Sequence, residues 1–231
     1  MQLGLRMVRG LSEEEGRRLA ALRHEPPCSV DELSARAQLS RRAINLLAAA
    51  GAFASIAGHR HAARWEGLGA EKLPELLAGR AGREADVALP APTEGQDLVA
   101  DYRALGLTLG RHPLALLRNR LTGLGVVRAA DLPKAANGSE VTVAGLVTHR
   151  QRPETASGVI FVSLEDETGI SNLIVWRAVQ EQQRRALLGS RLMVVTGELQ
   201  HADNVTHVVA HRIRDYSPWL GALDVGSRDF H

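Results

Sequence analysis

Cysteine is nearly absent from this chain: among 231 residues only Cys28 carries a thiol. One thiol can neither form an internal disulfide nor supply a Cys-based zinc site, which fits a reducing cytoplasm. Aromatic residues are scarce as well, at 3%, so a ring outside a core is a candidate for a specific contact. Lysine is almost missing, since Lys72 and Lys134 are the only lysines among 28 basic residues. Arginine offers a planar fork suited to phosphate, although arginine and alanine enrichment also follows from genomic base composition. No apolar run approaches the ~18 residues of a membrane helix, and no basic-then-apolar N-terminus marks a secretory signal. No glycine-rich phosphate loop with its lysine, no nucleophile elbow and no catalytic triad pattern occurs, so no catalytic residue is assigned. These absences leave a cytoplasmic globular protein with no membrane partner.

What is present is unevenly charged. The net charge is +2, but residues 1–65 hold 10 Arg against 6 acidic residues, residues 66–136 balance at 9 each, and residues from 137 onward hold 9 basic against 11 acidic. A basic first segment favours phosphate, whereas the last segment would have to bind anions through a local patch.

The first segment reads as helices joined by tight turns. Ser12 can cap a helix over Glu13 to Arg23, whose early glutamates suit the positive helix end. Ser29-Val30-Asp31-Glu32 forms a capping box for Val30 to Ala37, and Arg41 to Ala50 is a helix closed by Gly51. Val8-Arg9-Gly10-Leu11-Ser12 and Gln38-Leu39-Ser40 then resemble two helix-hairpin-helix turns, in which backbone N–H groups face a DNA phosphate. Arg9, Gly10, Ser40, Arg41 and Arg42 are the candidate contacts to duplex DNA. A helical scaffold without a ligand is the alternative. Ser12 and Ser40 stand where that motif usually has a second glycine.

Residues 66–92 lose periodicity and carry Pro74, Pro90 and Pro92, as a linker or a loosely packed helix plus loop does. Thr93-Glu94-Gly95-Gln96 caps a helix with Leu98, Val99, Tyr102 and Leu105 on one stripe, and His112-Pro113 opens another that presents Leu114, Leu117 and Leu121 before Gly123. From Val141 to Ile213 the pattern changes to five short strand-like runs: Val141–Thr148, Val159–Leu164, Ser171–Trp176, Arg191–Leu199 and Val205–Ile213. A single helix over Arg177–Leu188, ended by Gly189, separates the third from the fourth. The order β-β-β-α-β-β is that of the OB-fold, a five-stranded barrel that binds single-stranded nucleic acid or sugar chains. The expected class is therefore α+β and multidomain: a tandem helix-hairpin-helix module at 1–65, a linker with connector helices at 66–136, an OB barrel at 137–215, and a tail at 216–231 with Trp219 and Leu220 as anchors.

Side-chain alternation sets Phe161 on the more polar face of the second run, where a ring can stack on a base; the alternative is a core ring. Trp176, at the end of the third run, is a second stacking candidate. His149, Arg150 and Arg152 make a basic cluster in the first barrel loop, where this fold meets backbone phosphate. Glu165-Asp166-Glu167 reads as a solvated turn, because two-metal chemistry needs carboxylates converging at about 4 Å. His207 and His211 share a face of the fifth run and His59 and His61 share a loop, with no third ligand beside either pair.

Longer strings go beyond periodicity. Val8-Arg9-Gly10-Leu11-Ser12, Leu46 to Ala52, Asp101 to Leu107, Arg111-His112-Pro113-Leu114, Arg150-Gln151-Arg152-Pro153 and Phe161 to Gly169 together resemble the C-terminal region of a bacterial C-family DNA polymerase α subunit, in its error-prone, damage-tolerant DnaE-like branch. The resemblance covers nearly the whole chain. It implies a helix-hairpin-helix domain for double-stranded DNA and an OB domain for single-stranded template, with mutagenesis accessory proteins and a sliding clamp as further partners. It also implies that the catalytic aspartates and their Mg²⁺ belong to a palm domain that nothing in this chain matches, so no cofactor is expected here. A stand-alone nucleic-acid-binding accessory protein built from the same modules is the alternative. Gln2-Leu3-Gly4-Leu5 faintly resembles a clamp-binding peptide, but Arg6 stands where an aromatic belongs.

Overall fold

Caps written into the sequence set most helix starts. In the computed structural model, which describes residues 4–24, 27–69, 89–153, 158–202 and 205–222, Ser12, Ser29 and Ser40 each accept from the N–H three residues on. They open α1 (Glu13–Ala21), α2 (Val30–Ala37) and α3 (Arg41–Ala49). The second cap differs from a full box, because Glu32 Oε2 accepts from the N–H of Cys28 and not from that of Ser29. Two further helices follow, α4 (Ala54–Ala57) and α5 (Arg60–Gly69). Thr93 and Gln96 complete a reciprocal capping box on α6 (Glu94–Ala104). The expected loop at His59 and His61 is corrected: His59 Nδ1 accepts from Ala62 N–H at the head of α5, and His61 lies inside that helix.

The chain divides into two compact units, Met1–Leu109 and Gly110–His231. Val8, Val30, Leu39, Ile44, Leu47, Phe53 and Ala63 form the core of the first. α3 and α5 touch closely there, since a Cβ at Gly67 would lie 2.4 Å from Ile44 Cγ2. α6 belongs to this unit as well. Arg9 N–H donates to Ala104 O at 3.0 Å, and Arg60 pairs with Asp97 at 2.5 Å and Asp101 at 2.8 Å. Of the expected linker, residues 70–88 lie outside the described residues, as do Gln2 and Leu3 of the clamp-like peptide.

In the second unit α7 (Pro113–Thr122) leads through β1 (Val126–Val127) and a 3-10 turn, Ala129–Lys134, into the barrel. Its strands are β2 (Glu140–Gln151), β3 (Ile160–Asp166), β4 (Gly169–Val175), β5 (Leu192–Ala202) and β6 (Val205–Asp215). The order β1-β2-β3-β4-β6-β5 closes through β2–β5 pairing. Glycine permits that closure. A Cβ at Gly197 would lie 2.1 Å from Val209 O, and one at Gly145 would lie 2.7 Å from Leu164 Cβ, so neither position admits a side chain. Val143, Val162, Leu164, Leu173, Val195 and Val208 fill the barrel. Leu114, Leu117 and Leu121 of α7 pack outside it on Ala144, Leu192 and Val194, joined by Trp219 and Leu220, of which both lie in α10 (Pro218–Ala222).

Three expectations are corrected here. The helix between the third and fourth barrel strands is two short ones, α8 (Arg177–Gln182) and α9 (Arg184–Gly189), broken at Gln183. The Gln183 amide leaves the helix surface to pair with β6, donating to His211 O at 3.0 Å and accepting from Ile213 N–H at 2.6 Å. That satisfies backbone groups at a bulge on β6, where Thr196 faces Arg212 while Gly197 faces Ala210. The same bulge inserts His211, so His207 and His211 do not simply alternate onto one face. The acidic turn is only partly solvated, with Asp166 buried, Glu167 half-buried and Glu165 exposed. Asp166 accepts from the N–H groups of Ala129, Thr168 and Gly169, and Arg118 of α7 makes two 2.6 Å bonds to Glu167. Burial pushes both carboxyls up, but hydrogen bonds to Asp166 and the Arg118 guanidinium beside Glu167 win, leaving both below their usual range.

Candidate nucleic-acid interface

The two hairpin turns repeat one construction. Gly10 (φ +82°) and Gln38 (φ +49°) are left-handed, Leu11 and Leu39 face the core, and Ser12 and Ser40 cap the next helix. A left-handed glycine costs little, whereas Gln38 holds the same turn without that freedom. Their charged surroundings differ. A Cβ at Gly10 would meet Arg42 Nη2 at 3.5 Å, so the second hairpin's helix lends its arginine to the first turn. Arg9 turns the other way, its guanidinium lying over Gly106 behind α6. Arg41 is exposed.

At the second turn a carboxylate is already in place. Glu15 Oε1 accepts from Ser40 N–H at 2.9 Å, and Oε2 accepts from Ser12 Oγ at 2.7 Å. The Ser40 backbone and side-chain bonds hold this carboxyl down at about 2. Glu15 therefore sits where a phosphate approaching the Ser40 amide would have to go. Nothing in the spacing of the three glutamates at 13–15 distinguishes the one that crosses to the other hairpin.

On the barrel, a second bulge decides which side chains face outward. Val147 pairs with Leu164 but His149 pairs with Ser163, so Thr148 is an extra residue on β2. Beyond it the faces exchange. His149 and Gln151 turn to the outer face beside Ser163 and Phe161, while Arg150 turns to the side of Val162. Arg150 Nε donates to Leu187 O at 2.8 Å and Nη2 donates to Ser190 O, which ties the guanidinium to the end of α9. Burial lowers its pKa. Arg152 is exposed, with Nη2 3.8 Å from where a Cβ at Gly158 would sit. Residues 154–157 of this loop lie outside the described residues.

Phe161 is half-buried on the outer face, between Gln151 and Ile174, with its strand neighbours Val162 and Leu164 pointing inward. Trp176 is 53% exposed just past the end of β4. Ser163, Asn172 and His207 align across three strands beside Phe161, an arrangement the sequence alone did not show. Strand alternation signals that they share a face, but only the register brings them level. Among the described residues no group of His, Cys, Asp and Glu is placed to hold a metal ion, and no helix is long and apolar enough to cross a membrane.

These two surfaces coincide with two family models. Residues 1–63 match the helix-hairpin-helix motif, and residues 141–216 match an OB-fold nucleic acid binding domain. The whole chain is also 53% identical to an error-prone DNA polymerase of Alkalilimnicola ehrlichii and 48% identical to one of Pseudomonas aeruginosa. Over its whole length the chain is therefore similar to one part of the error-prone DNA polymerases. It spans 23% of the length of each of those two relatives. An asparaginyl-tRNA synthetase from Pyrococcus horikoshii overlaps 39% of this chain and 22% of its own, at 23% identity and a TM-score of 0.34, too distant to refine the picture. By the two family models, then, this chain carries two modules of nucleic-acid-binding type.

Proposed function

We propose that this chain is the DNA-gripping C-terminal portion of a cytoplasmic error-prone polymerase, one that serves damage-induced mutagenesis and translesion synthesis. The helical module holds duplex DNA through Gly10, Arg42 and Arg41, and the outer barrel face holds the single-stranded template. The nucleotidyl transfer and its Mg²⁺ belong to a palm domain elsewhere in the parent enzyme. Accessory mutagenesis proteins and a sliding clamp are partners of that parent.

The observation that carries this reading is Phe161. Aromatics are few, and this ring is neither in the barrel core nor paired with another ring among the described residues. A ring held on a strand face by its neighbours offers a flat apolar surface to a base at little entropic cost. The test is Phe161→Ala, followed by fluorescence anisotropy with a short single-stranded oligonucleotide and by thermal unfolding. Affinity should fall by about 1–3 kcal/mol while the melting temperature holds. A large loss of melting temperature with unchanged affinity per folded molecule would make Phe161 a packing residue.

A further inference from the structure

The outer face of the barrel is layered in a way that alternation in any one strand does not reveal. One row runs Gln151, Phe161, Ile174, Val209 across four strands. The next runs His149, Ser163, Asn172, His207, and continues to Gln200 of β5. A row that is apolar apart from Gln151 and carries a ring thus lies beside a wholly polar row. Strand geometry separates them by about 7 Å, since they are two residues apart, which is close to the width of a nucleobase.

The polar row is oriented. Ser163 Oγ donates to Asn172 Oδ1 at 3.3 Å, which leaves the Asn172 Nδ2 amino group as the half of the amide with donors to offer a ligand. Both side chains are half-buried on this face. His207 beside them has its Nδ1 buried with no partner among the described residues. A merely solvated strand face has no need of a serine that fixes an amide, nor of a histidine nitrogen left without a partner.

Resting on the single-strand reading above, we propose that Asn172, held by Ser163, reads the edge of the base stacked on Phe161 and favours one that presents carbonyl oxygens. The amino group can donate to the carbonyls of thymine, whereas with Oδ1 already engaged by Ser163 the amide is less able to complete the bidentate pair with the N6 amino group and N7 of adenine. The face then discriminates among bases, where backbone contacts alone would not.

The experiment uses the full 231-residue chain with fluorescein-labelled dT12 and dA12, titrated by anisotropy at fixed salt. Wild type should bind dT12 more tightly than dA12. In Asn172→Leu the ratio should shrink by about three- to tenfold, the worth of one neutral hydrogen bond, through weaker dT12 binding. Ser163→Ala, which removes only the orienting hydroxyl, should shrink the ratio in the same direction and keeps the test open if Asn172→Leu fails to fold. A dT12 preference that survives both substitutions overturns the assignment. Equal binding of the two oligonucleotides, abolished for both by Phe161→Ala, overturns base reading while leaving the single-strand function standing. No binding of either would remove the function and this inference with it.

Discussion

Arg118 shows how much one residue can organise. It leaves the middle of α7, is buried, and meets Asp166 and Glu167 on the hairpin between β3 and β4. Removing one side of a buried charge network strands the other, which is far more costly than losing an exposed pair. Arg118→Met should therefore cost about 3–5 kcal/mol at neutral pH, read by denaturant unfolding. The pH dependence follows from the depressed carboxyls. A carboxyl lowered in the folded state contributes stability above its unfolded pKa, and that contribution is lost as pH falls through the folded value. Wild-type stability should thus hold at neutral pH and decline below the ordinary carboxylate range of 3.8 to 4.5. In Arg118→Met the unpaired carboxylates gain from protonation, so its deficit should narrow in acid. A deficit that stays constant from neutral pH to pH 3 would mean that α7 docks by its leucines alone. Glu15 yields the opposite kind of test. If its carboxylate competes with phosphate at the Ser40 amide, Glu15→Gln should raise duplex affinity by about two- to tenfold, the net worth of one hydrogen bond. Unchanged or weaker binding would show that Glu15 only braces the two hairpins.

Elements were legible where their chemistry is local. Ser12, Ser40, Thr93 and Pro113 announce helix starts, and the β-branched alternation from Val141 announces a strand, because caps and alternation act within a few residues. What escaped the sequence depends on partners far along the chain. Thr148 looks like one more strand residue, yet as a bulge it exchanges the roles of His149 and Arg150, turning an expected phosphate ligand toward α9. Gln183 is a good helix former, yet β6 captures its amide and splits the helix. The acidic turn looks solvated until Arg118, nearly fifty residues earlier, arrives to pair with Asp166 and Glu167. Phe161 falls on the outer face with Ser163, as alternation along β3 implies, because β3 carries no bulge before it. The barrel's close approaches give a prediction at this scale. Gly197→Ala would drive a Cβ into Val209 O, so the β5–β6 pairing must shift, costing about 1–3 kcal/mol or more. A chain that melts at the wild-type temperature with Ala at 197 would contradict the tight crossing of these strands.

Across the whole molecule the helical module at 1–65 and the barrel differ in charge as they differ in fold. Arginines outnumber acids in residues 1–65, whereas acids exceed basic residues beyond 137. On the proposed reading, phosphate attraction is strongest at the helical module, and the barrel depends on stacking and hydrogen bonds. Two modest sites on one chain gain affinity together when a ligand reaches both, by factors of about 10² or more for tethered modules. The most direct measurement is an anisotropy titration of the full chain with three labelled ligands at several salt concentrations: a blunt duplex, a single strand, and the same duplex with a single-stranded overhang. The overhang substrate should bind at least about tenfold more tightly than either of the others. Duplex affinity should fall steeply with salt, because phosphate contacts release counterions. An overhang that binds no better than the blunt duplex, together with salt-independent affinity, would contradict a chain that grips duplex and template at once.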